Sequence, residues 1–260
     1  MLDGPGIFPA DLADVNEKDA SMSTIERFVR ARRRVLRAMG SALLPPVCCL
    51  CGASGQPPDL DLCDVCNTLL PVVGGGAGSV PPIGGATLVR TLFLYKYAYP
   101  VDHFIRAVKF RGERVFARVL GELLARQLRS LEWELPECIV PMPLHVARLR
   151  ERGFNQALEI ARFAAASLGV RVDSRSLARR LATREQSGLS LEARRKNVRG
   201  AFEVARSLPR GRIALLDDVV TTGSTAMAAI EALQAAGARQ IELWAIARVE
   251  KARDQEPGGA

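Results

Sequence analysis

No stretch of the 260 residues approaches 18 consecutive apolar side chains, which excludes a membrane-spanning helix. Cysteine is scarce: six residues are too few for a disulfide scaffold, and no apolar segment near the start would direct the chain to an oxidising compartment. The expected location is therefore the cytoplasm. Internal repeats are absent. Hydrophobic residues make up 48% and charged residues 25%, with a mean hydropathy of +0.07, which is the balance of a folded soluble protein rather than a disordered or collagenous one. The length suits one large domain, or an ordinary domain with a small satellite.

Charge is present in excess and unevenly. The 36 Lys and Arg outweigh 28 Asp and Glu to give +8. Residues 144 to 200 hold thirteen basic and five acidic side chains, a local excess of eight that equals the net charge of the whole chain. Such a segment suits DNA, RNA or a compact polyphosphate, all multivalent anions; the plainer reading is a solvated basic face.

Along the chain, residues 1–22 are acidic, contain Pro and Gly, and lack helical period, as in a flexible extension. Over 23–42, Ser23 and Glu26 have capping-box spacing, and Ile25, Phe28, Val29, Val35, Leu36 and Met39 recur near helical period. Arg27, Arg30, Arg32, Arg33, Arg34 and Arg37 occupy the other face, either to meet an acidic surface or nucleic acid or simply as a solvated face over a docked stripe. A cysteine module spans 43–73, a Gly/Pro-rich linker 74–86, a larger domain 87–250 and a flexible tail 251–260. Within the larger domain, a strand is expected over 87–97, helices over 101–110, 113–130 and 146–168, and a short strand from Cys138 into Pro141. Ile213–Leu216 and Ile241–Ile246 are nearly continuous apolar runs, as in strands covered on both faces. The helical stripe of Ala226, Met227, Ile230 and Leu233 between them, ended by Gly237, makes a right-handed parallel crossover. The fold class is α/β.

Cys48 and Cys51 form one CxxC pair and Cys63 and Cys66 another, eleven residues apart. Four thiolates so spaced suit a tetrahedral zinc at about 2.3 Å, with backbone amides softening the charge of the sulfurs. Iron is the chemical competitor. A closed set leaves no open coordination position, so the metal would fold the module rather than catalyse. Cys49 is a spectator or a ligand that can swap in, and Cys138 a small apolar filler on a buried strand.

The most informative run is Ile213 to Thr225. Its apolar half is a buried strand that delivers Asp217 and Asp218 to the carboxyl edge of the sheet, where open parallel sheets place ligands. The run Thr221, Thr222, Gly223, Ser224, Thr225 then turns into a helix whose free N–H groups and dipole can hold a phosphate, with hydroxyls adding donors. Carboxylates beside a phosphate cradle suit vicinal ribose hydroxyls, so the ligand expected is a sugar phosphate. The bland alternative is a helix cap and a strand end.

The run resembles the phosphoribosyl-pyrophosphate (PRPP) motif of type I phosphoribosyltransferases. More closely, residues 43–249 resemble the ComF family, named for competence and DNA uptake. The matching pieces are the CxxC pairs, Tyr97 to Pro100, Lys109 to Gly112, Pro141 to Leu144, Arg148 to Gln156, Gln186 to Leu189, Arg194 to Phe202, and the acidic run itself. The resemblance implies a type I phosphoribosyltransferase-like sheet of five parallel strands flanked by helices, preceded by the four-cysteine zinc module. PRPP would lie over the carboxyl edge with Mg2+ bridging its oxygens. The 5-phosphate would then sit on Thr221–Thr225, with Asp217 and Asp218 at the ribose as the residues central to catalysis. Pro141, Met142, Pro143 and Leu144 would form the pyrophosphate loop, and Arg148, Arg150 and Arg152 beyond it can bind phosphate oxygens bidentately.

The implied reaction is transfer of phosphoribosyl to an acceptor that no side chain declares. His145 beside the loop and His103 on a helix read as structural residues. Arg184–Arg199 is either a loop closing over the site or a surface helix anchored by Leu189 and Leu191. The competing reading is a nucleic-acid-handling protein without turnover, with single-stranded DNA and components of the uptake machinery as partners. Its expected contacts are Lys109, Arg111, Arg194, Arg195 and Lys196. Phe110, between two cations, is either a stacking surface for a base or part of the core. A weaker reading is a PRPP sensor whose loop closure reports to a partner.

Overall fold

The structure, a computed structural model, describes residues 45–56, 60–73, 88–181 and 200–249. The expected helix over 23–42, the linker 74–86, both chain ends and the segment Arg184–Arg199, with Arg194, Arg195 and Lys196, lie outside the described residues. No helix among the described residues is long and apolar enough to cross a membrane.

Five strands form one parallel sheet: β1 (Arg90–Lys96), β2 (Cys138–Pro141), β3 (Arg171–Val172), β6 (Ile213–Val220) and β7 (Ile241–Arg248), in the order β1-β7-β6-β2-β3. The short β4 (Leu177–Arg179) and β5 (Phe202–Val204) pair antiparallel beside it. Side-chain alternation builds a core on each face. Leu92, Leu94, Ile139, Ala214, Leu216 and Trp244 join α3 (Arg114–Ser130) and α5 (Gln156–Leu168). Phe93, Cys138, Val140, Ile213, Leu215 and Leu243 join α6 (Ser224–Ala235) on the other. Each run of consecutive apolar residues is thus a strand with two buried faces, as expected.

The cysteine module, with its short helix α1 (Asp64–Thr68), packs onto the first of these cores. Leu60, Leu62 and Leu70 belong to the same cluster as Phe104, Leu120 and Leu124. Asp61 pairs with Arg118 of α3, and the Lys96 amide donates to Pro71 at 2.7 Å. The module, too small to have its own core, borrows the larger one.

Three segment boundaries differ from expectation. The helix at 101–110 is α2 (Val101–Arg106) followed by a π-helical turn over Ala107–Arg111 that Gly112 ends at φ 67°. The single helix over 146–168 is two, α4 (Val146–Arg152) and α5, because Gly153 takes φ 80° and Asn155 caps the second, its Oδ1 accepting from Ala157 at 2.9 Å and Leu158 at 3.3 Å. β6 runs on through both aspartates to Val220 rather than stopping at Leu216, since β7 keeps pairing with it up to Val220 opposite Arg248.

Candidate functional site

β2 pairs with β6 only as far as Pro141 opposite Leu216, and the Met142 amide makes the last bond, to the Leu216 carbonyl at 2.8 Å. Beyond Leu216, β6 therefore has β7 on one side and an opening on the other. Asp217 and Asp218 stand where that opening starts. The chain order runs outward from β2 to β3 in one direction and from β6 to β7 in the other, so this opening is the switch point at which doubly wound sheets hold ligands.

The two carboxyls interact although strand neighbours start on opposite faces. Asp217 Oδ1 accepts the Asp218 amide at 2.9 Å. Asp218 is only 6% exposed, whereas Asp217 is half-buried. Burial first, and then the charge of Asp218 and a hydrogen bond to it, hold the Asp217 carboxyl well above the usual carboxylate range; the Asp218 amide and Arg179 pull the other way. A cation, or a hydroxyl donor, arriving at this pair would be welcomed by the charge it relieves.

The turn after β6 has the expected form. Gly223 takes φ 77° and caps α6, which begins at Ser224. Thr222 Oγ1 and Ser224 Oγ lie 3.0 Å apart, and the Met227 amide bonds to the Gly223 carbonyl at 2.8 Å. Among the described residues, no backbone acceptor takes the amides of Thr222, Gly223, Thr225 or Ala226, at the positive end of α6. A non-glycine residue at 223 would be strained in this left-handed conformation.

Across the opening, Pro141 and Met142 are buried, while Pro143 and Leu144 are half-buried. Asn155 holds this turn: its Nδ2 donates to the Met142 carbonyl at 3.0 Å while its Oδ1 caps α5. That dual role was not assigned from sequence, although an Asn just before an apolar helical run is its signal. His145 Nδ1 accepts the Ala147 amide at 3.2 Å and caps α4, the structural role expected of it. The three arginines of α4 do not act as one group. Arg148 and Arg152, four apart, share a half-buried face, and Arg150 points away into solvent.

Arg179 of β4 is a residue that sequence reasoning missed. Its backbone forms a parallel bridge with that of His145, its guanidinium lies 5.6 Å from the Phe202 ring centroid, and it is close enough to Asp217 to favour the ionised form of that carboxyl. Nothing in its spacing distinguishes it from Arg175 or Arg180. A cleft of about 630 Å³ is lined by Pro141, His145, Leu149, Asn155 and Arg179 among others; it shares the Pro141–His145 wall but not the β6 acids. Lys109 is half-buried and Arg111 exposed, the latter paired with Glu113. Phe110 is no part of the core, being 71% exposed.

The sulfurs of Cys48, Cys51, Cys63 and Cys66 all lie within 4.8 Å of one another, the single cluster of metal-ligand spacing among the described residues. Cys51 and Cys63 sulfurs are 3.6 Å apart, and the Cys66 amide donates to Cys63 Sγ at 3.4 Å. Burial opposes ionisation of Cys48, but the amides of Cys63, Cys51 and Leu50 bring it down to about 6. Cys49 stays outside the set, with burial and then the Cys48 and Asp61 charges pushing it up to about 12. Cys138 is buried on β2 as a filler.

No protein-family model matches the chain. Competence protein F of Haemophilus influenzae is 35% identical over 166 residues, covering 61% of this chain and 72% of that protein. DNA utilization protein YhgH of Salmonella typhi is 30% identical over 222 residues, covering 79% of this chain and 98% of that protein. Among solved structures, adenine phosphoribosyltransferase of Saccharomyces cerevisiae is similar at 17% identity and TM-score 0.35, over 54% of this chain and 72% of that one. Purine phosphoribosyltransferase of Pyrococcus horikoshii has 19% identity and TM-score 0.31, over 62% and 89%. The sequence relatives, one of them matched along nearly its whole length, decide the matter: this chain belongs to the ComF family, that of competence protein F.

Proposed function

We propose that the chain binds PRPP at the opening beside β6, transfers its phosphoribosyl group to an acceptor, and does so in the service of DNA uptake. One observation carries this reading: turn amides that no described backbone acceptor takes follow directly on two interacting carboxyls where β6 outruns β2. The amides of Thr222, Gly223 and Thr225, with the Thr221, Thr222 and Ser224 hydroxyls, suit the 5-phosphate. Asp217 and Asp218 suit the ribose hydroxyls. Pro141–Leu144, with Arg148 and Arg152, faces the leaving pyrophosphate in this reading, and Arg179 adds a third cation.

The bond that breaks joins the anomeric carbon to a pyrophosphate oxygen, and its electron pair leaves with pyrophosphate. The acceptor's lone pair forms the new bond, and the acceptor sheds a proton. Developing charge on the leaving group is the largest electrostatic demand, which the arginines answer. Magnesium accompanying PRPP would supply countercharge to its phosphates, and Asp217 and Asp218 are the carboxyls of this site that would face it. In the cysteine module, zinc fits. A tetrahedron with 2.3 Å bonds has sulfurs about 3.8 Å apart, near the 3.6 Å between Cys51 and Cys63.

Incubation with labelled PRPP, magnesium and a panel of bases and nucleic acids tests transfer. Release of pyrophosphate that depends on one member of the panel is expected; release with none of them, despite PRPP binding, would leave binding alone. A second reading, handling of single-stranded nucleic acid without turnover, draws on relatives named for competence and DNA utilization. Lys109 and Arg111 belong to it by position, and Arg194, Arg195 and Lys196 by charge.

A further inference from the structure

Of the phenylalanines among the described residues, Phe93, Phe104, Phe116 and Phe202 are buried and Phe154 and Phe163 half-buried; Phe110 alone has most of its surface in water, at 71% exposure. Its position is fixed from below. Ala107 and Val108 of the same π-helical turn are buried, and a Cβ at Gly112 would stand 3.4 Å from the Phe154 ring. By helical period Phe110 lies opposite the apolar stripe of Val101, Phe104, Ile105 and Val108, and it sits in a π turn, a form frequent at functional sites. Around the ring stand cations. Lys109 Nζ is 5.6 Å and the Arg152 guanidinium 5.9 Å from its centroid, and Arg111 is adjacent. Arg152 is held in turn by Gln156, to whose Oε1 it donates at 2.5 Å.

A rigid, exposed aromatic face ringed by cations has the two properties that an unpaired nucleobase with its phosphate requires: a π surface of matching polarity and countercharge for the backbone. We infer that Phe110 is a stacking platform for an unpaired base, with Lys109, Arg111 and Arg152 receiving the attached phosphates. The ligand class is a nucleotide, either free or within a single strand. This inference rests on the reading in which the chain handles single-stranded nucleic acid; it shares Arg152 with the PRPP reading and needs none of the β6 residues, so loss of PRPP binding leaves it standing.

The test is fluorescence anisotropy with a labelled oligothymidylate and a strand of equal length made of abasic residues, which keeps the phosphates and lacks the rings. The wild type should bind the base-bearing strand about tenfold more tightly than the abasic one, the range of one stacked base. Phe110→Ala and Phe110→Leu should both reduce the base-bearing strand to the abasic level, while Phe110→Trp keeps the preference. Phe110 is exposed, so these variants leave the core intact. Competition by thymidine monophosphate at millimolar concentration would support a free nucleotide as occupant, and lack of competition a strand. Equal binding of the two strands by wild type, binding of neither, or a preference retained in Phe110→Leu would overturn the inference.

Discussion

Asp217 carries two burdens on its charge, loss of water and the neighbouring Asp218, and both raise its folded-state pKa above the unfolded value. Between those two values the folded chain keeps a proton that the unfolded chain has released, so stability falls as pH rises through that window. Asp217→Asn retains the acceptor for the Asp218 amide and removes the burden. It should have a higher urea midpoint than wild type at pH 7, with the difference shrinking as pH drops toward about 4, where an ordinary aspartate protonates. Urea titrations at the two pH values check this; a variant less stable than wild type at pH 7 would mean that the carboxylate is compensated in place. Strain of this kind, kept at a site and relieved by its ligand, is where stability and function part. At this scale the sequence was informative wherever spacing encodes chemistry, as in the two cysteine pairs and the Ile213–Thr225 run. It was silent on Arg179 and ambiguous on Phe110, because long-range approach and a π turn leave no local pattern.

Among elements, the closest contact that decides the architecture is the crossing of α3 and α5. A Cβ on Gly121 would meet Phe163 Cβ at 2.7 Å, the Ile160 carbonyl oxygen at 2.8 Å and the Ala164 amide at 2.9 Å. Two of those three atoms are backbone, so the helices would have to separate. Gly121→Ala should therefore destabilise by about 1–3 kcal/mol despite its better helix propensity, seen as a lower thermal midpoint; an unchanged or raised midpoint would show that the crossing can yield. The same α5 shows why 146–168 reads as one helix. The apolar period continues through the break, and only Gly153 and Asn155 mark it. Both residues can also sit inside helices, so period outweighed punctuation. The extension of β6 past Leu216 was hidden for the opposite reason: an acidic pair reads as a strand end, yet β7 supplies ladder bonds that carry the strand through it.

For the whole molecule, the cysteine module is a structural member, since Leu60, Leu62 and Leu70 share a core with α3. Removing its metal should thus be felt well beyond residue 73. One equivalent of metal per chain is expected by elemental analysis. Chelation, or Cys63→Ser, should remove it, lower the thermal midpoint by several degrees and speed amide exchange along α3, because structural metal sites contribute folding free energy directly. A metal-free protein with an unchanged midpoint would contradict this. Charge is distributed unevenly at this scale too: Arg152 of α4 stands by the Phe110 ring and Arg179 acts on Asp217, while Arg150 faces solvent. Composition alone exposed that excess; of its described members, Arg162, Arg171 and Arg180 are paired with Glu159, Glu137 and Glu203, and Arg179 is the one that acts on Asp217.

The most direct measurement is calorimetric titration of PRPP in the presence of magnesium into wild type and into the double variant Asp217→Asn, Asp218→Asn. Saturable one-to-one binding by wild type, weakened at least tenfold in the double variant while its metal content stays at one per chain, is the predicted result. Absence of binding by wild type, or equal affinity in the variant, would contradict the placement of a ribose phosphate beside β6.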